Sequence, residues 1–380
     1  APLDEQDFES RAWVPNSGWP IRKEDIDPFY RRAQPLFEID RYRYNVEEWD
    51  FDATPVFSLD PEKLAHRLWQ LSPPTEFGPA YVDQLRKSGN VRVLLYANAT
   101  EISADPSGAT ISGVKLRDLN GRQAEVSAAA YVLACGGIET TRLLLASARY
   151  APDGLGDTRG LVGRYFMEHP HPDAGGVIFT TAAKDFRPYY EKEFESQGIV
   201  VGLGPSASAQ ERLGILNCSV AFHGPIYHEP SAGMDSVIKL ARALEHGQWP
   251  DNAGAHVARV LRDLDDVLRE SYLRATEGAI RGFGLIARTE VAPNPDNRIT
   301  LTSDRDQLDM PRVRLDWNVG ELERVTVEQT VNLVAQEFGR LGVGRVRINQ
   351  LLLEDDDRWS RNLSWFGHHM GTTRMSDSLG

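Results

Sequence analysis

The amino-acid sequence predicts an α+β protein, in which a βαβ-like piece precedes a mixed region of sheets and helices. Three observations support this prediction. Apolar residues run into consecutive glycines and then into a helical pattern at 131–146, short strand-like stretches lie at 175–222, and amphipathic helices lie at 255–275 and 321–342. A chain of 380 residues is long enough to bury a large core in one or two domains.

The first 90 residues contain three predicted helices. Asp25, Asp27 and Pro28 can cap a short helix. The segment 60–71, DPEKLAHRLWQL, offers an Asp N-cap, a Pro at the first helical position and leucines at helical spacing. A third short helix is expected over 78–88 and ends before Gly89.

The pattern changes to strands after residue 90. Residues 91–103 predict a buried strand, and 109–128 predict a β-hairpin whose type I′ turn is Asn120-Gly121. Residues 131–134 then form an apolar strand that runs through Cys135 and two glycines into a helix. A strand, a glycine turn and a helix can bring backbone close to a bound nucleotide or phosphate. The alternative is a tight crossover that binds no ligand.

The remainder of the chain predicts a mixed sheet and two long helices. Three strands are expected at 175–181, 199–204 and 215–222, and two antiparallel strands at 297–317. One amphipathic helix is expected over 255–275, and another ends at Gly342.

Composition excludes several classes of function. The formal net charge of −13 argues against nucleic-acid binding, because no basic face can neutralise phosphates. Two distant cysteines make a disulfide framework or a cysteine zinc site improbable. No apolar run reaches the roughly 20 residues that a membrane span requires.

Four histidines lie in two clusters, His169 with His171 and His368 with His369. Three interpretations are open. The clusters could hold a metal, although no established ligand spacing accompanies them, so we predict none. One histidine of the second pair could act as an acid or base, because the imidazole group can take a proton from an alcohol in a water-poor pocket. Both could also be structural loop histidines.

Five segments carry a resemblance to a known family. In chain order they are DFESRAWVPNSGWPI…DIDPFYRRA, YVLACGGIETTRLLLAS, LVGRYFMEHPH, APNPDNRITLTSDRDQLDMPRVRLDW and HHMGTTRMSD. Together they resemble the bacterial branch of the glucose-methanol-choline (GMC) flavin oxidoreductases, including its sugar- and polyol-oxidising members. Thr140-Thr141 departs from the Ser-Pro that is commoner in the family.

The resemblance implies an FAD-binding domain of glutathione-reductase-like topology and a substrate domain with a mixed or antiparallel sheet backed by helices. The expected parts are a cap segment at 1–60, FAD-domain residues at 61–160 with the hairpin at 110–127, a substrate domain at 161–360, and the start of a catalytic segment at 361–380. The resemblance also implies a set of FAD contacts: Ala99, Ala134, Cys135, Gly136, Gly137, Gly371 and Thr372.

The family's His-x-x-Gly-Thr element implies the chemistry. Its leading histidine, here His368, would take the hydroxyl proton of an alcohol, sugar or polyol while hydride passes to flavin N5. His369 would lie beside it as a substrate contact. The resemblance leaves oxygen, a quinone or a cytochrome open as the electron acceptor.

Two features of the family are missing from these 380 residues: the opening GxGxxG and a later segment with a second catalytic His or Asn. We therefore expect the middle of a longer protein, which alone is inactive and binds FAD weakly or not at all. The alternatives are an FAD-free short form acting as a binding or scaffold module, and a metal-dependent enzyme. The cytoplasm is the favoured compartment, and an export signal would lie upstream of this chain.

Overall fold

A seven-stranded antiparallel sheet is the largest element of the computed structural model, which describes residues 1–51, 54–147, 155–247, 250, 252–275, 278–354, 358–360, 363–365 and 367–376. Six strands follow the order β1-β7-β8-β9-β5-β12, and β6 pairs with β7. The strands are β1 (Leu64–Leu71), β5 (Asp173–Phe179), β6 (Glu193–Phe194), β7 (Gln197–Pro205), β8 (Cys218–Tyr227), β9 (Ile280–Thr289) and β12 (Gly344–Ile348). The strands predicted at 175–181, 199–204 and 215–222 are therefore confirmed.

Two smaller antiparallel sheets complete the strands. One contains β2 (Asn98–Ala104), β3 (Ile111–Arg117) and β4 (Gln123–Val126), and the other pairs β10 (Arg298–Arg305) with β11 (Pro311–Asp316). Helices and antiparallel sheets thus mix along the chain, which confirms the predicted α+β class.

Ten α-helices lie within the described residues, beside four short 3-10 helices. They are α1 (Lys23–Ala33), α2 (Phe77–Lys87), α3 (Gly136–Ala146), α4 (Arg187–Tyr190), α5 (Ala207–Leu213), α6 (Ala232–Glu245), α7 (Ala253–Arg262), α8 (Leu264–Ala275), α9 (Glu321–Leu341) and α10 (Gln350–Leu353). Within the described ranges, no helix combines the length and apolar character of a bilayer span.

The helix α9 covers one face of the large sheet. In β9 the side chains of Phe283, Leu285 and Ala287 are buried on that side, whereas Ile286 and Arg288 point to the opposite face. This period-two alternation is that of a strand whose two faces meet different surroundings. The sheet therefore has one face for the core and one for the cavity described below.

The segment predicted as a helix at 60–71 is instead β1. It pairs with β7 from Leu64 opposite Pro205 to Leu71 opposite Gly198. Leu64 and Leu68 are four residues apart, a spacing that places side chains on one face of a strand as well as of a helix. The spacing fits both a helix and a strand, and pairing with β7 makes this segment a strand.

Two predicted strands are absent at 91–97 and 131–134. Strand β2 begins only at Asn98, and the chain before α3 has no strand partner in the described part of the molecule. Leu95 is 74% exposed and Val132 is 89% exposed, so their apolar side chains do not pack as a buried strand would.

Three local predictions were wrong in detail. The hairpin turn is not type I′, because the φ of Asn120 is negative and only the φ of Gly121 is positive. The Asp118 side chain stabilises the turn by accepting hydrogen bonds from the N–H groups of Asn120 and Arg122. The helix over 255–275 is divided between α7 and α8 at Asp263. The first helix starts at Lys23, so Pro28 lies inside it rather than at its start.

Candidate active site

A cavity of about 1320 Å³ lies against the open face of the large sheet. The start of α3 and the segments 167–171 and 368–375 form its other walls. It brings together six residues that the sequence placed at a site: Gly136, Gly137, His368, His369, Gly371 and Thr372. A cavity of this size exceeds what a small drug-like ligand requires.

Three other predicted site residues lie away from this cavity. Ala99 is in β2, where it packs on a small separate core together with Leu133. Ala134 and Cys135 are exposed just before α3, and the Cys135 N–H donates to Thr140 Oγ1 at 3.3 Å.

The segment that carries His368 and His369 runs along 163–171. Met167 and Met370 exchange backbone hydrogen bonds of 3.0 Å, and the Gly163 N–H donates to the Thr372 carbonyl. Thr372 is buried, and its hydroxyl donates to the Gly137 carbonyl at 2.9 Å. The segment is thereby tied to the start of α3.

Glu168 anchors this segment from inside. Its side chain is buried, with 3% exposure, and its Oε1 accepts hydrogen bonds from the backbone N–H groups of Gly367 and His368. Its Oε2 lies 3.2 Å from His369 Nε2. A buried carboxylate requires such partners. The sequence prediction missed Glu168; its only signal was an acidic residue immediately before the HxH pair.

Three histidines form one hydrogen-bonded chain. His169 Nε2 lies 2.6 Å from His368 Nδ1, and His171 Nε2 lies 2.6 Å from His169 Nδ1. The chain runs from exposed His368 at the cavity to His171, which is buried. The two clusters noticed in the sequence are therefore one structure, although the sequence suggested no role for His169.

The surroundings favour neutral imidazoles in the inner part of this chain. Burial, followed by the charges of His169 and Arg288, lowers the pKa of His171 to about 4. Burial and then His368 also lower the pKa of His169. Desolvation and nearby positive charge both disfavour the protonated form.

The lowered pKa of His171 makes stability sensitive to acid. A histidine of the unfolded chain titrates near 6.5, so stability present above that pH is lost as the pH falls to about 4. For His171, the free energy of unfolding falls by about 3 kcal/mol at most over this pH range. We expect the melting temperature to fall more steeply between pH 7.5 and pH 4.5 in the wild type than in His171→Asn.

Comparing wild type with His171→Asn separates the effect of His171 on stability from the opposite effect of Asp7. Burial raises the pKa of Asp7 to about 6, and stability from a raised carboxyl pKa is lost as pH rises. Asp7 therefore offsets part of the histidine effect in both proteins. Equal acid sensitivity of wild type and His171→Asn would contradict the assignment.

The histidine geometry differs from that of a metal site. Among the described residues, no three or more His, Cys, Asp or Glu side chains are arranged to hold a metal ion. Nitrogens of the histidine chain point at one another at hydrogen-bond distance. Ligands of one ion would instead converge on a common point.

The start of α3 offers backbone to the cavity. Gly136 has a φ of +80°, and a Cβ added there would meet no atom within 4 Å. The space beside Gly136 is therefore open, and it adjoins the first N–H groups of the 11-residue helix α3. Such N–H groups lack partners within the helix and attract anionic groups.

Two family models described as GMC oxidoreductase match the chain. The amino-terminal model of the family matches residues 78–171, and the carboxy-terminal model matches residues 293–379. The first match ends at the inner histidine of the chain, and the second contains His368.

Two curated relatives share part of the sequence. The fructose dehydrogenase large subunit of Gluconobacter japonicus is 26% identical over 227 residues, which cover 56% of this chain and 33% of that protein. The 2-methyl-1,2-propanediol dehydrogenase of Mycolicibacterium austroafricanum is 36% identical over 94 residues, 22% of this chain and 17% of that protein. The aligned part thus spans a third or less of either relative.

Among solved structures, pyridoxine 4-oxidase from Mesorbium loti aligns with a TM-score of 0.46 and 15% sequence identity. The alignment covers 82% of this chain and 55% of that chain.

Proposed function

Because the chain belongs to the GMC oxidoreductase family, we propose that it oxidises the CH–OH group of an alcohol, sugar or polyol with FAD as cofactor. Members of this family are FAD-binding flavoproteins. The observation that carries the proposal is the position of His368, which lines the same cavity as Gly136 and Gly137.

The residues around the cavity fit a flavin dinucleotide. The bare backbone at Gly136 leaves space for a ligand that approaches the start of α3. Gly137, Gly371 and Thr372 would hold the flavin from the wall that they share. When bound, FAD supplies the hydride acceptor for the carbinol carbon.

His368 is suited to accept the hydroxyl proton. Its Nδ1 is engaged with His169, so its Nε2 is the nitrogen left for a substrate. Nε2 can accept a proton only if Nδ1 carries the ring hydrogen and donates it to His169 Nε2. His169 must then donate from its Nδ1 to His171 Nε2.

This direction of donation gives the histidine chain a positioning role. It holds His368 in the tautomer whose Nε2 is free to accept a proton, through contacts of 2.6 Å on the inner side. Because the pKa values of His169 and His171 are lowered, the inner histidines stay neutral and do not take the proton onward. His368 is exposed, so the proton that its Nε2 accepts can pass to water at the cavity.

His369 has a different proposed role. Its Nε2 is occupied by the buried Glu168, and its ring lies 5.4 Å from that of Phe166. These contacts support a positioning function, in which His369 and Glu168 together orient the backbone that carries His368.

Anaerobic reduction of bound FAD tests the proposed function. Because these 380 residues alone are expected to bind FAD weakly or not at all, the experiment uses the longer protein in which the sequence analysis places them. That protein, loaded with FAD, is mixed with fructose, sorbitol, 1,2-propanediol and ethylene glycol without an electron acceptor. We expect at least one of these to bleach the flavin absorbance and to yield the corresponding carbonyl compound. Flavin that binds but is reduced by none of a broad alcohol panel would contradict the proposal. Absence of flavin binding by that longer protein would favour the FAD-free binding-module alternative.

A further inference from the structure

We propose that Arg288 binds a carboxylate group of the substrate, so that this cavity selects hydroxy acids, including sugar acids, over neutral alcohols. The inference rests on the proposed alcohol oxidation, to which it adds the chemical class of the substrate.

Arg288 lies on the cavity face of the large sheet. It is in β9 and lines the cavity, with its guanidinium carbon 5.6 Å from the centre of the Trp69 ring. The Trp69 indole lies over Gly202 of the neighbouring strand β7. A Cβ added at Gly202 would be 2.9 Å from the indole, so the glycine makes room for the ring. A planar aromatic surface and a planar cation thus form adjoining parts of the wall.

The guanidinium lacks an anionic partner in the described part of the protein. Arg288 Nη1 is buried and has no hydrogen-bond partner among the described residues. The cavity wall contains three other arginines: Arg11 pairs with Glu290 at 2.5 Å, Arg67 pairs with Asp4 at 3.0 Å, and Arg374 donates to the Asn16 carbonyl at 2.6 Å. Of these four arginines, Arg288 is the one whose side chain has no hydrogen bond or ion pair among the described residues, so its donors are left for a ligand.

The electrostatic surroundings of Arg288 also indicate that its guanidinium lacks an anionic partner among the described residues. Burial lowers the pKa of Arg288, and the one group that acts on it in the opposite direction is the Cys218 thiol. Burial raises the pKa of that thiol to about 12, so it is neutral at physiological pH. A partly buried cation without a counter-ion is costly, and an incoming carboxylate would remove that cost.

Arg288 is also close enough to the histidine chain to influence it. Its charge contributes to the lowered pKa values of His169 and His171. A carboxylate bound at Arg288 would therefore be near the histidine chain that includes His368. Arg288 and His368 line the same cavity. A substrate whose carboxylate binds Arg288 and whose carbinol meets His368 carries both an acid and a hydroxyl group and is therefore a hydroxy acid.

A neutral alcohol of the same size would leave the cation unpaired. Sites built to pair with a polar or charged group reject analogues that lack it, because the protein group is then buried without a partner. Arginine also offers two parallel N–H donors that match the two oxygens of a carboxylate.

Matched substrate pairs test the proposal in the FAD-loaded protein. The pairs are gluconate with sorbitol and glycolate with ethylene glycol. We expect Arg288→Gln to raise KM for the acids about 100-fold while changing KM for the neutral partners about 2-fold or less. Arg67→Gln, which removes a paired arginine of the same wall, should leave the acid-to-neutral ratio unchanged. Arg288→Lys should restore part of the affinity, since it keeps the charge but loses the bidentate geometry.

Binding without turnover separates this inference from the proposed function. Calorimetric titration with gluconate should give heat in the wild type and in Arg67→Gln but none in Arg288→Gln, whether or not the flavin is reduced. If gluconate binds equally to Arg288→Gln, or if that variant loses flavin affinity with an unchanged acid-to-neutral ratio, the inference is overturned. Oxidation of neutral alcohols would still stand in that case.

Discussion

Replacing His368 by Asn should lower the turnover number with an alcohol substrate about 100- to 1000-fold, because a positioned proton acceptor contributes on that order. Asn keeps a similar volume but cannot take up a proton at neutral pH. FAD content should stay within about 2-fold of wild type, since His368 hydrogen bonds through its ring to His169 rather than supporting the start of α3. The measurements are steady-state kinetics and the ratio of flavin to protein absorbance.

His369→Asn is the matched control for this variant. It removes the contact to Glu168 at 3.2 Å but leaves the hydrogen-bonded chain of His368, His169 and His171 intact. We expect a loss of about 10-fold or less, arising from looser positioning of the segment. If the two variants lose activity to the same extent, the assignment of roles within the histidine pair is wrong.

Replacing Gly371 by Ala should have the largest effect on stability at the site. A Cβ at this position would lie 1.9 Å from the Tyr165 carbonyl oxygen, and the φ of +91° is one that side chains disfavour. Because the contact is with backbone, the segment from His368 to Thr372 has to move away from 163–171. We expect a loss of about 3 kcal/mol or more in the free energy of unfolding, measured by urea denaturation.

Gly367→Ala separates backbone strain from the steric contact. Gly367 has a φ of +80°, close to that of Gly371, but an added Cβ there meets nothing within 4 Å. We expect a cost of about 1 kcal/mol from the strained φ alone. Similar losses for the two variants would show that the close approach to Tyr165 does not constrain the segment.

The strongest sequence patterns predicted their elements correctly. Helix α9 has sustained amphipathic spacing and ends at Gly342, which adopts a left-handed φ of +69°. The pair β10–β11 alternates clearly, and α3 follows its glycines as expected. These elements are determined by local spacing and by residues with restricted backbone preferences, which a sequence displays directly.

Elements that depend on distant partners were predicted less well. The segment that forms β1 satisfies helical spacing, and only its pairing with β7 makes it a strand. Residues 91–97 and 131–134 have strand composition but lack a partner strand among the described residues. β-Structure requires a neighbour, which spacing along one segment does not reveal.

Some residues of the candidate site could be identified from local sequence, whereas others depend on contacts between distant segments. The resemblance identified the segment with His368, Gly371 and Thr372, and these residues line one cavity with Gly136 and Gly137. Ala99 packs against a small core and is not part of the cavity lining, and its contact with the cofactor stays a prediction. The histidine chain joins residues about 200 positions apart, so neither cluster alone could predict it. Glu168 was equally hidden, because its partners lie near residue 368.

A structure determination of the FAD-loaded protein tests the central claim most directly. The claim is that the cavity between the start of α3 and the histidine chain binds the flavin with its reactive edge beside His368. We predict electron density for the isoalloxazine within hydrogen-bonding or van der Waals contact of the His368 ring, and for a neighbouring part of FAD at Gly136. Flavin bound elsewhere on the protein, with His368 facing only solvent, would contradict the claim.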